Sequence, residues 1–270
     1  MSTNFQHEVS PLSISELETV PGVLGDISRE RATDYTGKPT SMSLDSGLLR
    51  PSLFEALSAM NELSIIAEVK QKSPSKGNIA KLDPVEAASA YYRGGASAIS
   101  VLTELRHFGG KLSHLEAVSR SLSIPTLRKD FVAHPLQLFE AKQVGASAVL
   151  LIVAVLKEHT AQYVKLAERL ELDALVEVHD AAELDVALAA GASIIGVNNR
   201  DLRTLEIDLT NAPKLIARAK SAEFKGLLIA ESGYRTDDDL DSVRDLADGV
   251  LIGTSLAGSG DLEAAVRALV

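Results

Sequence analysis

The chain has 270 residues, 46% of them hydrophobic and 24% charged, a balance that fits a folded globular protein and excludes disorder over most of its length. Its 37 Asp and Glu against 27 Lys and Arg leave a formal charge of −10, which opposes the counterion release by which proteins hold nucleic acid. Cysteine is absent, which excludes a disulfide framework, a thiolate metal site and a cysteine nucleophile, and no apolar run approaches the roughly 20 residues that span a bilayer.

Residues 1–50 read as an N-terminal extension, in which Pro11, Pro21, Pro39 and the Ser/Thr/Gly-rich stretch 36–47 break any long pattern. Residues 1–10 read as a disordered leader. Residues 23–32 predict one short helix, and 51–60 another that leads into the first strand. The extension is expected to pack on the following domain, 51–270, or to cover its mouth. The start lacks the basic-then-apolar order of a signal peptide, so the expected location is cytoplasmic.

From residue 64 onward, short apolar runs alternate with longer amphipathic ones. The runs are 64–69, 97–102, 125–127, 147–153, 174–178, 193–197, 227–230 and 249–252. Each is too short for a typical helix, rich in Val and Ile, and bounded by Gly, Pro or polar residues, so each predicts a strand buried on both faces. Helical periodicity fills the gaps at 84–93, 134–144, 158–170, 181–190, 212–220 and 238–246. The joints repeat: Gly95-Ala96-Ser97-Ala98, Gly145-Ala146-Ser147-Ala148 and Gly191-Ala192-Ser193-Ile194 each supply a glycine able to take the left-handed conformation that stops a helix. With 4% aromatic residues and no tryptophan, the core must be built from Val, Ile, Leu and Ala, which suits parallel strands under alanine-rich helices.

Eight such βα units in roughly 200 residues predict an α/β fold, a closed (β/α)8 TIM barrel. An open doubly wound sheet would give the same local pattern, but no Gly-x-Gly-x-x-Gly follows the first strand.

The active site of such a barrel lies at the C-terminal ends of its strands, and here those ends are polar. The first reads Glu68-Val69-Lys70 and runs on through Gln71 to Gly77. The third reads Arg128-Lys129-Asp130-Phe131, the fifth Glu177-Val178-His179, the sixth Asn198-Asn199-Arg200-Asp201 and the seventh Glu231-Ser232-Gly233. Taken singly, Asp201, Arg203, Lys72 and Lys76 read as solvated side chains where the chain leaves the core. Glu68 and Lys70 alternate with Ala67 and Val69, so with Val69 outward both point into the barrel mouth, where charges need partners. A buried structural Glu–Lys pair is the plainer alternative. Lys129 and Glu177 follow the same logic, giving two carboxylates and two ammoniums facing one cavity. Such neighbours push pKa values apart, as acid–base chemistry requires.

After the seventh and eighth strands come Glu231-Ser232-Gly233-Tyr234 and Gly253-Thr254-Ser255-Leu256. Barrels bind phosphate there through backbone N–H groups and a helix N-terminus, so a phosphorylated small molecule is the expected substrate class. The histidines, His7, His107, His114, His134, His159 and His179, show no His-x-x-x-His spacing and read as surface or supporting residues, so no metal is expected. No Gly-x-Ser-x-Gly elbow supports a serine triad.

As a set, Ala67-Glu68-Val69-Lys70-Gln71-Lys72-Ser73-Pro74-Ser75, Ser100-Val101-Leu102-Thr103-Glu104, Leu127-Arg128-Lys129-Asp130-Phe131, Leu175-Val176-Glu177-Val178-His179, Gly196-Val197-Asn198-Asn199-Arg200-Asp201-Leu202 and Ala230-Glu231-Ser232-Gly233 resemble, in order, the motifs of the indole-3-glycerol phosphate synthase family. The resemblance runs from about Ile65 to the C-terminus, and less closely over the short helices before it. It implies a TIM barrel of tryptophan biosynthesis that closes, decarboxylates and dehydrates 1-(2-carboxyphenylamino)-1-deoxyribulose 5-phosphate to indole-3-glycerol phosphate, with no cofactor.

The resemblance makes Lys129 the general acid toward the ketone oxygen, an ammonium aimed at developing negative charge. It assigns Glu177, Glu68 and Lys70 to ring closure and dehydration, and Asn198 to the leaving hydroxyl. Phosphate falls to Lys70, Ser232, Gly233, Gly253 and Thr254, with Glu231 in the same substrate-binding rim. Ser73 and Arg200 are placed for the anthranilate carboxylate, Arg200 by its forked geometry. Phe108, Phe131 and Leu202 would enclose the aromatic ring, with core packing as their plainer alternative. One departure is Lys111, where the family usually has Ser after Phe108-Gly109-Gly110; its charge either draws anions or faces solvent.

Two rivals are weaker. Phosphoribosylanthranilate isomerase, another phosphate-binding barrel, uses a Cys–Asp pair, and this chain has no cysteine. A non-catalytic barrel has no chemical need for Glu68, Lys70, Lys129, Glu177, Asn198 and Ser232 together. A monomer is the expected state.

Overall fold

Strands form where short apolar runs are hemmed by turn residues: β1 (Ser64–Val69), β2 (Ala98–Leu102), β3 (Thr126–Lys129), β4 (Ala148–Ile152), β5 (Asp173–Val178), β6 (Ile194–Asn198), β7 (Leu227–Glu231) and β8 (Gly249–Ile252). In the computed structural model, which describes residues 9–44, 50–73, 77–79, 82–201 and 203–270, each strand pairs in parallel with the next. β8 pairs with β1, Ser64 opposite Gly249, and so closes the barrel. Closure settles the choice against the open sheet, because no edge strand remains.

Helices cover the outside: α4 (Pro84–Gly94), α5 (Leu112–Ser121), α6 (Leu136–Gln143), α8 (Thr160–Arg169), α9 (Ala181–Ala189), α10 (Asn211–Ser221) and α13 (Leu262–Arg267), with shorter turns α7 (Val153–Leu156), α11 (Asp237–Leu240) and α12 (Thr254–Ala257). α4 starts at Asp83, whose carboxylate accepts from the N–H groups of Val85 and Glu86, with Pro84 in its first turn. The joint glycines Gly95, Gly145 and Gly191 stop α4, α6 and α9 with φ of 108°, 84° and 76°. The helix expected at 238–246 shrinks to α11 and continues as turns. Its Asp-rich sequence explains this, since Asp is a poor helix former and its charge is unfavourable beyond the first turn. β3 also extends past its expected end at 127 because alternate faces satisfy Arg128 and Lys129 separately, outward and inward.

Before the barrel lie α1 (Ile14–Leu17), opened by a Ser13/Glu16 capping box, α2 (Gly22–Asp34) and α3 (Leu53–Ser58). Most of the expected leader, residues 1–8, lies outside the described residues. Val9 and Ser10 do not behave as a leader: Val9 is buried in the core, and the Ser10 carbonyl accepts from the Tyr163 hydroxyl at 3.2 Å. An apolar side chain with a site to fill gains from packing there.

α2 is bolted to the ends of β2 and β3. Arg31 donates to both oxygens of Asp130 at 2.9 and 2.7 Å, and Asp130 also accepts from Thr103 at 2.7 Å and Arg128 at 3.0 Å. Asp34 receives Arg106 at 2.6 Å, and Glu30 lies 3.0 Å from His107, both in the loop after β2. Burial pushes the Asp130 carboxyl up, yet Arg31 and Arg128 hold it far below the ordinary range. Asp130→Asn, which strands two buried guanidiniums, is expected to cost roughly 3–5 kcal/mol, read from the denaturant midpoint at pH 7. Because the folded pKa is depressed, this stabilisation is present above about pH 4 and fades as pH falls below it, so the gap between Asp130→Asn and the parent should narrow in acid. No helix among the described residues is long and apolar enough to cross a membrane.

Candidate active site

Strand pleating aims one polar side chain from each of several strands at the C-terminal mouth. Glu68 on β1, Lys129 on β3, Glu177 on β5, Asn198 on β6 and Glu231 on β7 line one cavity there, with Lys70, Phe108, Phe131, Arg200, Ser232, Gly233, Gly253 and Thr254. At its base the Lys129 ammonium donates to Glu177 Oε2 and Glu231 Oε2, each at 3.3 Å. Asn198 Nδ2 donates to the other Glu177 oxygen at 3.2 Å. Lys70 Nζ meets Glu68 Oε1 at 2.6 Å beside Gly253, where a Cβ would fall 2.2 Å from that same oxygen.

Two carboxylates sharing one ammonium do not titrate alike. Burial raises the Glu177 carboxyl, but Lys129 and the nearby His179 and Asn198 hold it below the ordinary carboxylate range. Burial also raises Glu231; Lys129 opposes this, Glu177 reinforces it, and the outcome is a pKa pushed up to about 7. Among the described residues, Glu231 Oε1 has no hydrogen-bond partner. Burial alone would lower the Lys129 pKa, yet Glu231, Glu177 and Glu68 outweigh it and hold the ammonium above its ordinary value. Near neutral pH the site therefore offers a fixed cation, a fixed anion and a carboxyl whose pKa is raised toward neutrality.

The loops after β7 and β8 form the opposite wall. Ser232 and Gly233 carry φ of 65° and 104°, a sharp turn that only the second residue adopts without strain. Asn199 holds this turn: its Nδ2 donates to the Ser232 carbonyl and the Tyr234 hydroxyl, both at 3.0 Å, and its Oδ1 accepts from Ala212 at the start of α10 at 2.8 Å. Ser255 Oγ donates to the Tyr234 carbonyl at 3.1 Å and ties the two loops together. The sequence reading gave Asn199 and Tyr234 no role of their own. The available signal was two adjacent Asn residues at a strand end, of which only one can face the mouth.

The loop after β2 presents Phe108. Buried Glu104 accepts from the N–H groups of Arg106, His107 and Phe108 at 2.7, 2.8 and 3.0 Å. Phe108 then lies 5.8 Å from Phe131, centroid to centroid, inclined by 33°. Half-buried Arg200 donates to the Leu205 carbonyl at 2.9 Å, with its backbone held by Asn198 Oδ1 at 3.0 Å.

Other expected residues fall elsewhere. Ser73 is buried in a two-residue strand, Lys72–Ser73, paired with Gly77–Asn78, and does not line the cavity. Leu202 and Lys76 lie outside the described residues. Exposed Lys111 precedes α5 and is not part of the cavity wall, so its charge faces solvent. Asp201 and Arg203 pair with each other at 2.7 Å on the surface, as the plainer reading of both expects. Arg128 belongs to the α2 network behind the site, and Asp130, which borders the cavity, gives its carboxylate to the same network. Among the described residues, no group of three or more His, Asp or Glu is disposed to hold a metal.

The family model for indole-3-glycerol phosphate synthase matches residues 41–269. The chain is similar to the protein of that name from Deinococcus radiodurans, 54% identical over 261 residues, covering 94% of this chain and 97% of that one. It is 44% identical over 257 residues to the one from Mycolicibacterium smegmatis, covering 92% and 93%. Among solved structures, tryptophan synthase from M. tuberculosis in its open form aligns with a TM-score of 0.59 at 18% identity over 80% of this chain and 94% of that one. Thiamine phosphate pyrophosphorylase from Pyrococcus furiosus aligns with 0.56 at 17% identity over 77% and 93%. These structural likenesses speak to the barrel alone.

Proposed function

The chain belongs to the indole-3-glycerol phosphate synthase family, and from that premise we propose how its residues divide the reaction. The activity is a carboxy-lyase step of tryptophan biosynthesis on a phosphorylated small molecule, 1-(2-carboxyphenylamino)-1-deoxyribulose 5-phosphate. A carbon–carbon bond forms between the aromatic carbon that bears the carboxylate and the ketone carbon. The ketone oxygen gains a proton, CO2 departs and returns its electron pair to the ring, and the new hydroxyl takes up a proton and leaves as water while the neighbouring CH2 carbon gives up a proton and the indole double bond forms.

The observation that carries the reading is the Lys129 ammonium held between Glu177 and Glu231 at the base of a cavity walled by the Ser232–Tyr234 and Gly253–Ser255 loops. Lys129 gives its proton to the ketone oxygen as ring closure puts negative charge there. The alkoxide that ring closure creates on the ketone oxygen is a strong base and draws that proton from the ammonium beside it. Glu177 fixes that ammonium and stays an anion. Glu231, its pKa raised toward neutrality, passes protons during dehydration, together with the Glu68–Lys70 pair, while Asn198 steadies the departing hydroxyl.

Phosphate binds at the backbone of Ser232, Gly233, Gly253 and Thr254, with Lys70 beside it. Phe108 and Phe131 stack against the anthranilate ring, and Arg200 forks onto its carboxylate. The chain acts as a monomer in the cytoplasm, with the N-terminal extension over the barrel mouth. Steady-state turnover of the substrate, followed by product fluorescence, tests the carboxylate assignment. Arg200→Lys keeps the charge but loses the fork, so KM should rise about tenfold with a smaller change in kcat. An unchanged KM would remove Arg200 from the carboxylate site.

A further inference from the structure

His179 stands behind Glu177, on the side away from Lys129. Its Nε2 is 3.3 Å from Glu177 Oε1, and its Nδ1 is 3.0 Å from Glu183 Oε2 on α9. The Glu183 carboxylate also accepts from the His179 backbone N–H at 2.8 Å, and the His179 carbonyl accepts from Asn211 on α10 at 3.0 Å. The ring is thus fixed between carboxylates from two elements, with 15% of the side chain exposed. It does not line the Lys129 cavity; it borders an adjoining chamber that shares Asn198 and Arg200 with that cavity.

We propose that His179 is a positioning residue whose imidazolium clamps Glu177 from behind and supplies the countercharge that keeps Glu177 an anion while Lys129 gives up its proton. The inference rests on the reading that Lys129 and Glu177 serve ring closure. When Lys129 is neutral, Glu177 and Glu231 lose the cation they share. A buried carboxylate left without a cation is costly, so Glu177 would compete with the ketone oxygen for the proton. A second cation on the far oxygen of Glu177 removes that competition.

Both ring nitrogens face carboxylate oxygens, Nε2 at 3.3 Å from Glu177 and Nδ1 at 3.0 Å from Glu183, and only an imidazolium has a proton for each. Burial opposes the imidazolium, but Glu177 and Glu183 outweigh burial and hold its pKa up to about 10. The other charged groups around the chamber are Asp180, Arg200, Asp201, Arg203, Glu206 and Asp208. The ring therefore stays charged through neutral pH.

Two measurements test this. NMR of the wild-type protein with isotope-labelled histidine, assigned by loss of the signal in His179→Gln, should show an imidazolium to about pH 9. A ring titrating near its ordinary 6.5 would overturn the proposal. In kinetics, His179→Gln should lower kcat about tenfold with little change in KM, and should move the acid limb of kcat upward by about one pH unit as Glu177 loses a countercharge. A folded variant with wild-type kcat and pH profile would also overturn it. Glu177→Gln is run alongside: normal turnover there would overturn the role of Glu177 itself, whereas an impaired Glu177→Gln beside a normal His179→Gln would overturn only the clamp.

The stability of the native state supplies a further check. The folded pKa of His179 is raised, so its contribution is complete below about pH 6.5 and is lost as pH climbs through about 10. Over that window the wild type should lose stability more steeply than His179→Gln, and parallel curves would count against the charge.

Discussion

Lys129→Met is expected to lower kcat by about 10²-fold or more, the usual scale of general acid catalysis, while leaving the fold intact. Met fills much of the same volume but has no proton to give, and it removes the cation from between Glu177 and Glu231. Those carboxylates sit in the barrel mouth with 2% side-chain exposure each. Without the ammonium the pair should keep a proton to higher pH than in the parent, whose Glu231 already titrates near neutrality. Single-turnover fluorescence reads the chemical step directly, and potentiometric titration of the two proteins reads the proton. Near-normal turnover would remove Lys129 from the reaction.

Glu177→Gln should cost a comparable factor, again about 10²-fold, through a different route. Gln keeps the shape and can still meet Asn198, but it no longer anchors the ammonium at 3.3 Å by charge or gives His179 a partner. One consequence separates this variant from simple damage. Glu177 is among the groups that push Glu231 up to about 7, so Glu231 should titrate lower once the neighbouring charge is gone. A pH profile whose Glu231 limb moves down supports the coupled pair. A profile that falls in height without shifting would mean that the two carboxylates do not sense each other.

The order of elements was legible because buried parallel strands and their covering helices differ in length and period, and because glycines punctuate the joints. Alternation along β1 placed Glu68 and Lys70 in the mouth, and the 2.6 Å contact between them accommodates both readings of that pair, structural and functional. Strand ends were less legible. The extension of β3 to Lys129 depends on Arg128 finding Asp130, Glu140 and the Gln137 carbonyl outside the barrel, partners nearby in the chain that reach it only once the loop and α6 fold back over β3. For the same reason Arg128 and Asp130 looked like rim polarity but proved to anchor α2. Glu231 read as part of a phosphate loop because its neighbours Ser232 and Gly233 dominate the local sequence; its contact to Lys129 crosses from β7 to β3 and needs the closed barrel. His179 passed as a supporting residue, since one histidine carries no spacing signal and its meaning lies in which carboxylates flank it.

The central claim is that this cavity closes and decarboxylates a carboxyphenylamino sugar phosphate through Lys129. The most direct test is turnover of that substrate carrying 13C in its carboxylate, with labelled CO2 and indole fluorescence recorded together for the parent and Lys129→Met. Equal amounts of labelled CO2 and indole product from the parent, and almost none of either from the variant, are the predicted result. Product from both proteins at similar rates would contradict the role of the ammonium, and no product from the parent would contradict the activity.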